Sequence, residues 1–257
     1  MTIGTIDLNS DLGEGLGSWS MGDDEALLSV VTSANVACGF HAGDPPIMRQ
    51  VTARAAELKV AVGAHVAYRD HTGFGRRFID MEPTVLTDEV VYQIGALDGM
   101  ARRHGHRVTY VKPHGGLYNA IVTHEEQARA VVRAVQEFDA HLVLMGLPGS
   151  VVLRLAEEAG VPTAHEAFAD RAYTPEGHLV PRSREGSVLH DPEEIARRCV
   201  AMATGEPITD VDGDPLTLRP HSICVHGDTP GAVEIARRVR EALEGAGVAL
   251  APFAPAD

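Results

Sequence analysis

Along this chain, short apolar runs alternate with longer stretches in which apolar residues return every three or four positions, the patterns of buried strands and of amphipathic helices. The runs predict strands over residues 33–38, 60–65, 108–112, 142–145, 162–168 and 222–225, after a first strand through Asp7, Asn9 and Asp11. Between and after them, apolar stripes predict helices, among them Ile47, Val51, Ala55 and Leu58; Val90, Ile94, Leu97 and Ala101; Ala128, Val131, Val135 and Phe138; Val152, Leu155 and Ala159; Ile195, Cys199 and Met202; Ala232, Ala236, Val239 and Leu243. Asp44 before Pro45, Thr123 with Glu126, and Asp191 before Pro192 are start signals, and the second stripe reads as a helix from about Thr87. About seven strand–helix repeats with no Pro/Gly/Ser-rich linker predict one α/β domain over residues 1–250, with a parallel sheet and a loose tail at residues 251–257.

An open doubly wound sheet and a closed (β/α) barrel both satisfy that pattern, and the polar residues choose between them. Nearly every predicted strand ends in a histidine, acid, lysine or glycine cluster, and only a barrel brings all those ends to one mouth. Asp7, Asn9 and Asp11 share one face of the first strand, which has no ordinary reason to bury three polar groups together. Gly13, Gly15 and Gly17 then permit a sharp turn that carries Glu14. His41, His65, His114 and His226 stand at or just after strand ends; one such histidine is usually structural, but four facing these acids predict a site.

Two chemistries suit that set. One is a divalent metal on Asp11, His41 and His65 that activates water; the other is metal-free acid/base work by Asp11, Glu14, His41, His65 and His114. The spacing does not decide between them, and no HExxH occurs. Lys112 is one of two lysines, and its place at the end of an apolar strand makes it a candidate anion or oxyanion contact, whereas Lys59 suits a helix end. Helix starts at Asp44-Pro45 and at Thr229-Pro230-Gly231, after Asp228, offer backbone N–H groups to an anion, or are only caps. The loop at residues 67–78, rich in glycine and arginine, suits a lid or binding loop. Cys38, in an apolar strand, reads as packing.

A formal charge of −14 disfavours nucleic acid and anionic membranes as partners. Three widely spaced cysteines give no disulfide framework, no apolar run reaches membrane-spanning length, and the first residues show no export signal, so a cytoplasmic protein is expected. P-loop, dinucleotide and nucleophile-elbow motifs are absent.

The segments DLNSDLGEG (7–15), SANVACGFHAGDP (33–45), GAHVAYRD with GFGRR (63–77), VKPHGGLYN (111–119), EAFADRAY (166–173) and CVHGDTPGAV (224–233) together resemble the LamB/YcsF family, that of 5-oxoprolinase A subunits. The resemblance implies a distorted seven-stranded (β/α) barrel similar to the glycoside hydrolase/deacetylase group. It also implies ATP-dependent hydrolysis of 5-oxo-L-proline to L-glutamate, in a complex with subunits B and C that shares the ATP chemistry. On that reading Asp11 or Glu14 with His41 or His65 activates water, and Lys112 with His114 and the 226–231 turn (His226, Asp228) holds phosphate or oxyanion. An arginine from Arg69, Arg76 and Arg77, with Arg171, Asn9 and Asp44, contributes to the substrate site. The alternatives are a stand-alone metal-dependent deacetylase or amidohydrolase and a non-catalytic substrate-delivery subunit; self-association stays open.

Overall fold

The computed structural model describes residues 4–227 and 231–255. Seven parallel strands close a barrel: β1 (Gly4–Leu12), β2 (Ser33–Ala37), β3 (Ala61–Val66), β4 (Val108–Pro113), β5 (Val143–Gly146), β6 (Thr163–Phe168) and β9 (Ser222–Val225). Closure comes from β1, whose Asp7–Ser10 segment pairs with β9 on one side while Asn9–Leu12 pairs with β2 on the other. The N-terminal end of β1 carries a further parallel strand, β10 (Val248–Leu250), which the sequence pattern did not show. A two-stranded antiparallel hairpin, β7 (Ile208–Thr209) and β8 (Pro215–Leu216), lies just before β9 in the chain.

Helices α1 (Asp24–Leu28), α2 (Pro45–Leu58), α3 (Pro83–Arg102), α4 (Gly115–Ala120), α5 (Glu125–Asp139), α6 (Val151–Glu158), α7 (Pro192–Thr204) and α8 (Ala232–Gly245) surround the barrel. Their apolar stripes bury Val51, Ile94, Val131, Ile195 and Val239 against the outer strand faces, which is the large hydrophobic core. Local chemistry corrects two expected starts. Helix α3 begins at Pro83, because the Glu82 side chain accepts from Val85 N–H at 3.0 Å and caps a proline that lacks an N–H of its own. Helix α5 is capped by His124, whose Nδ1 accepts from Gln127 N–H, so the Thr123–Glu126 capping box does not form the cap.

Inside the barrel the filling changes with height. At the bottom Ala61, Tyr110, Met145 and Ala164 form a small apolar plug with Ala254. The expected loose tail after Leu250 is therefore corrected: Phe253 packs on Tyr110 at 4.9 Å between ring centroids, and the Ala254 carbonyl accepts from Thr109 Oγ1 at 2.9 Å. Gly63 makes room for Tyr110, since a Cβ there would lie 2.1 Å from its ring. Above the plug the interior is polar. Asn35 Nδ2 donates to Asn9 Oδ1 (2.6 Å) and Asp11 Oδ1 (2.8 Å), Tyr110 OH donates to Asn35 Oδ1 (2.7 Å), and Asn9 Nδ2 donates to Ser222 Oγ (2.6 Å). A polar network with its members bonded to one another fixes strand register and supports whatever stands above it.

Candidate active site at the barrel mouth

Successive inward positions of the strands carry that network up to the mouth. Lys112 stands at its centre, 2 % exposed, with Nζ 2.8 Å from Asp11 Oδ1, 2.7 Å from Glu166 Oε1 and 3.2 Å from Cys224 Sγ. Burial works against the ammonium, but Asp11, Cys224 and Glu166 hold the Lys112 pKa well above its ordinary value. The Asp11 carboxyl is likewise desolvated, yet His65 and Lys112 hold it well below the usual carboxylate range. Asp11 is accordingly a carboxylate at neutral pH, an acceptor and not an acid.

Beside it lies a cluster of imidazoles. His65 Nδ1 donates to the Lys112 carbonyl (3.0 Å) and His114 Nε2 to the Phe74 carbonyl (2.8 Å), tautomers assigned from the fact that a carbonyl only accepts. His41 stacks on His114 with ring centroids 3.8 Å apart and planes 7° apart, and its Nε2 lies 3.0 Å from Glu14 Oε1. Burial pushes the pKa values of both His41 and His114 well below the ordinary imidazole value. Across the mouth a separate dyad forms: His226 Nδ1 donates to Asp170 (2.8 Å), and the ring stacks on Phe168. Burial opposes the charged His226 ring, but Asp170 holds its pKa above the ordinary value.

A cavity of about 560 Å3 opens over these groups, lined at its base by Asp11, His65, Lys112, His114 and His226 and at its rim by Arg76, Arg171 and Arg182. The Arg171 guanidinium is fixed by donation to the Ser187 (3.2 Å) and Val180 (2.6 Å) carbonyls. The cavity thus joins acceptors and a buried ammonium to a cationic rim, a combination suited to a small anionic molecule with a polar bond to be broken.

Of the residues singled out from sequence, Asp11, His65, Arg76, Lys112, His114, Arg171 and His226 meet in this cavity. Glu14 and His41 lie buried behind its histidines, and Asn9 in the network beneath. Three others stand elsewhere. Asp44 is the cap of α2, accepting from Ile47 N–H (2.9 Å) and Gly17 N–H (2.8 Å). Arg69 lies over the Phe40 ring and pairs with Glu89, and Arg77 clasps Asp70 within its own loop. Asp228, Thr229 and Pro230 fall outside the described residues. Cys38 is buried, and burial raises its thiol pKa, as packing requires. Sequence reasoning missed Glu166, Asp170, Phe74 and Arg182 as site residues; an acid just after a predicted strand end was the available signal for Asp170.

Among the described residues, two groups of donors converge closely enough to share an ion: Glu14, His41, His65 and His114, and Asp11, Cys224 and His226. The second already holds an ammonium, since Lys112 Nζ touches both Asp11 and Cys224, which leaves it unsuited to a further cation. The first differs from the expected set of Asp11, His41 and His65: Asp11 belongs with Lys112, and Glu14 with His114 takes its place.

Residues 6–257 match the model of the LamB/YcsF family. The chain belongs to that family. Among LamB/YcsF relatives, a Streptomyces avermitilis protein named as the A subunit of 5-oxoprolinase is 58% identical, covering 97% of this chain and 100% of its own. A Cutibacterium acnes protein of the same name is 56% identical, over 96% and 98%. The crystal structure of a lactam utilization protein from Thermus thermophilus superposes with a TM-score of 0.93 at 43% identity, over 97% of this chain and 100% of that one. A family 4 carbohydrate esterase from Streptomyces lividans shares the fold alone, at a TM-score of 0.52 and 12% identity over 100% of this chain and 98% of that one. The barrel of this LamB/YcsF chain is thus a seven-stranded, deacetylase-like one. No helix among the described residues is long and apolar enough to cross a membrane.

Proposed function

We propose that this chain is the A subunit of a 5-oxoprolinase and that the barrel-mouth cavity takes 5-oxo-L-proline, opening it to L-glutamate with ATP hydrolysis in concert with B and C subunits. The observation that carries the reading is the cavity itself: Asp11, Lys112 and three histidines at the base, with three arginines at the rim. The names of relatives more than half identical over nearly their whole length support the choice of substrate. The substrate's carboxylate suits Arg171 and its neighbours, because a fixed guanidinium offers paired donors to a planar anion.

An unstrained lactam resists water. Transfer of the ATP γ-phosphoryl to the lactam oxygen, with ADP leaving, makes the ring carbon electrophilic. Water then adds to that carbon as a base takes its proton, and the C–N bond breaks with a proton delivered to nitrogen. A second water releases phosphate from the acyl phosphate and completes L-glutamate. Asp11 is the ionised acceptor for the attacking water, His226 with Asp170 moves the proton to nitrogen, and Lys112 balances the charge gathering on oxygen.

The test is release of ADP and glutamate on addition of 5-oxoproline, with this chain alone and then with B and C subunits. Turnover is expected only in the reconstituted complex, and Asp11→Asn, with an unchanged circular dichroism spectrum, should lower kcat about 100-fold or more. Full turnover by Asp11→Asn would remove that carboxylate from the reaction.

A further inference from the structure

The hydrogen bonds that fix His65 and His114 leave the other nitrogen of each ring turned toward its neighbour. His65 spends its Nδ1 hydrogen on the Lys112 carbonyl, and His114 spends its Nε2 hydrogen on the Phe74 carbonyl. With both rings neutral, the remaining nitrogens, His65 Nε2 and His114 Nδ1, carry lone pairs, and these two atoms face each other at 3.0 Å. Glu14 Oε1 joins them, 3.4 Å from His114 Nδ1 and 3.8 Å from His65 Nε2. Three acceptors in contact, on residues no more than 4 % exposed, repel one another unless a proton or a cation lies among them.

We propose that Glu14, His65 and His114 hold a single divalent transition-metal ion of the zinc class. Donors bound to tetrahedral zinc at their usual bond lengths lie about 3.3 Å apart, and the observed separations of 3.0, 3.4 and 3.8 Å bracket that value. The outer partners are also those a metal-binding histidine needs, a backbone carbonyl on the far nitrogen of each ring, which fixes tautomer and direction. His41 is not a ligand in this arrangement. Its ring lies parallel to that of His114 at 3.8 Å, so an ion in the plane of one ring falls well outside the plane of the other. His41 instead orients the carboxylate, donating from Nε2 to Glu14 Oε1 at 3.0 Å. His65 and His114 line the cavity while Glu14 does not, so the fourth coordination position opens toward the cavity, where Asp11 Oδ2 lies 3.4 Å from His65 Nε2. The Phe74 ring packs perpendicular to both His41 and His114, with centroids 5.5 and 5.3 Å away.

The site stands or falls without reference to 5-oxoproline, so its failure would leave the proposed activity standing and the converse also holds. Protein freed of metal by a chelator is titrated with Zn2+ by calorimetry and with Co2+ by visible absorption. One ion per chain is expected, with the intense Co2+ bands of a four-coordinate site. His41→Ala, which removes the outer partner of Glu14 together with the ring stacked on His114, weakens binding roughly 10–100-fold, and His114→Ala weakens it further. Should His114→Ala not fold, 15N imidazole shifts of the wild type decide: Zn2+ moves His65 Nε2 and His114 Nδ1 and leaves the carbonyl-bonded nitrogens protonated. No saturable uptake by the folded wild type, a proton shared by the two rings in place of an ion, or uptake unchanged in His114→Ala would overturn the site.

Discussion

Lys112 is the residue on which most of the mouth depends. An ammonium this buried survives only because two carboxylates meet it at 2.8 and 2.7 Å, and the dependence runs both ways. Replacing it by the apolar, similarly shaped methionine strands Asp11 and Glu166 as buried charges. We expect Lys112→Met to lose about 3–5 kcal/mol of stability in urea unfolding, and the added change Glu166→Gln to restore part of it. A double variant no more stable than the single one would mean that the charge on Glu166 does not depend on Lys112. Lys112 was legible in the sequence because the only other lysine has a dull explanation at a helix end. Glu166 was not, because which residues of a short strand point inward is fixed by register against β9, where Glu166 aligns with Ser222, and no local pattern states that register.

Among the elements, the loop at residues 67–78 shows how backbone shape serves the histidines. It was readable as a functional loop from its glycines and arginines, but not in what it does: the arginines expected to grip substrate divide, Arg77 tying the loop to itself through Asp70 and Arg76 alone reaching the cavity. Its working part is backbone. Phe74 adopts a left-handed conformation (φ 53°) that places its carbonyl on His114 Nε2, and Gly75 follows with φ 63°. A Cβ on Gly75 would sit 2.7 Å from His41 Cβ and 2.9 Å from His114 Cδ2. Gly75→Ala should therefore cost about 1–2 kcal/mol from backbone conformation alone, plus whatever moving the stacked rings requires. Thermal denaturation reads the first effect. The second appears as a perturbed His114 ring resonance, and an alanine variant with wild-type stability and unchanged His114 signals would show that the loop yields easily. The strand-end histidines themselves were legible because the strand–helix alternation places every strand end at one mouth; which of them touch could not be, since His41 meets His114 only through the curvature of a closed barrel.

For the molecule as a whole, the barrel is an apolar cylinder outside with a polar shaft inside, and Asp7 lies deep in that shaft. Thr32, Ser33 and Ser222 each donate a hydroxyl hydrogen to it, yet desolvation outweighs them and raises its pKa from 3.8 to about 6. In the unfolded chain Asp7 keeps the ordinary value, so between these two values the folded state binds more proton than the unfolded one. Stability contributed by Asp7 therefore rises as pH falls through about 6, is complete near the ordinary carboxylate pKa, and is lost again on return to neutrality. Other groups, His41 and His114 among them, pull the other way in acid, so the wild-type curve alone does not isolate the effect. The difference from Asp7→Asn does, because the variant keeps those groups and removes this one. From urea unfolding at pH 7 and at pH 5, the wild type should gain about 1 kcal/mol on Asp7→Asn at the lower pH. A gap that does not change, or that moves in favour of the variant, would mean that the three hydroxyls suffice to keep Asp7 ionised in the shaft as easily as in water.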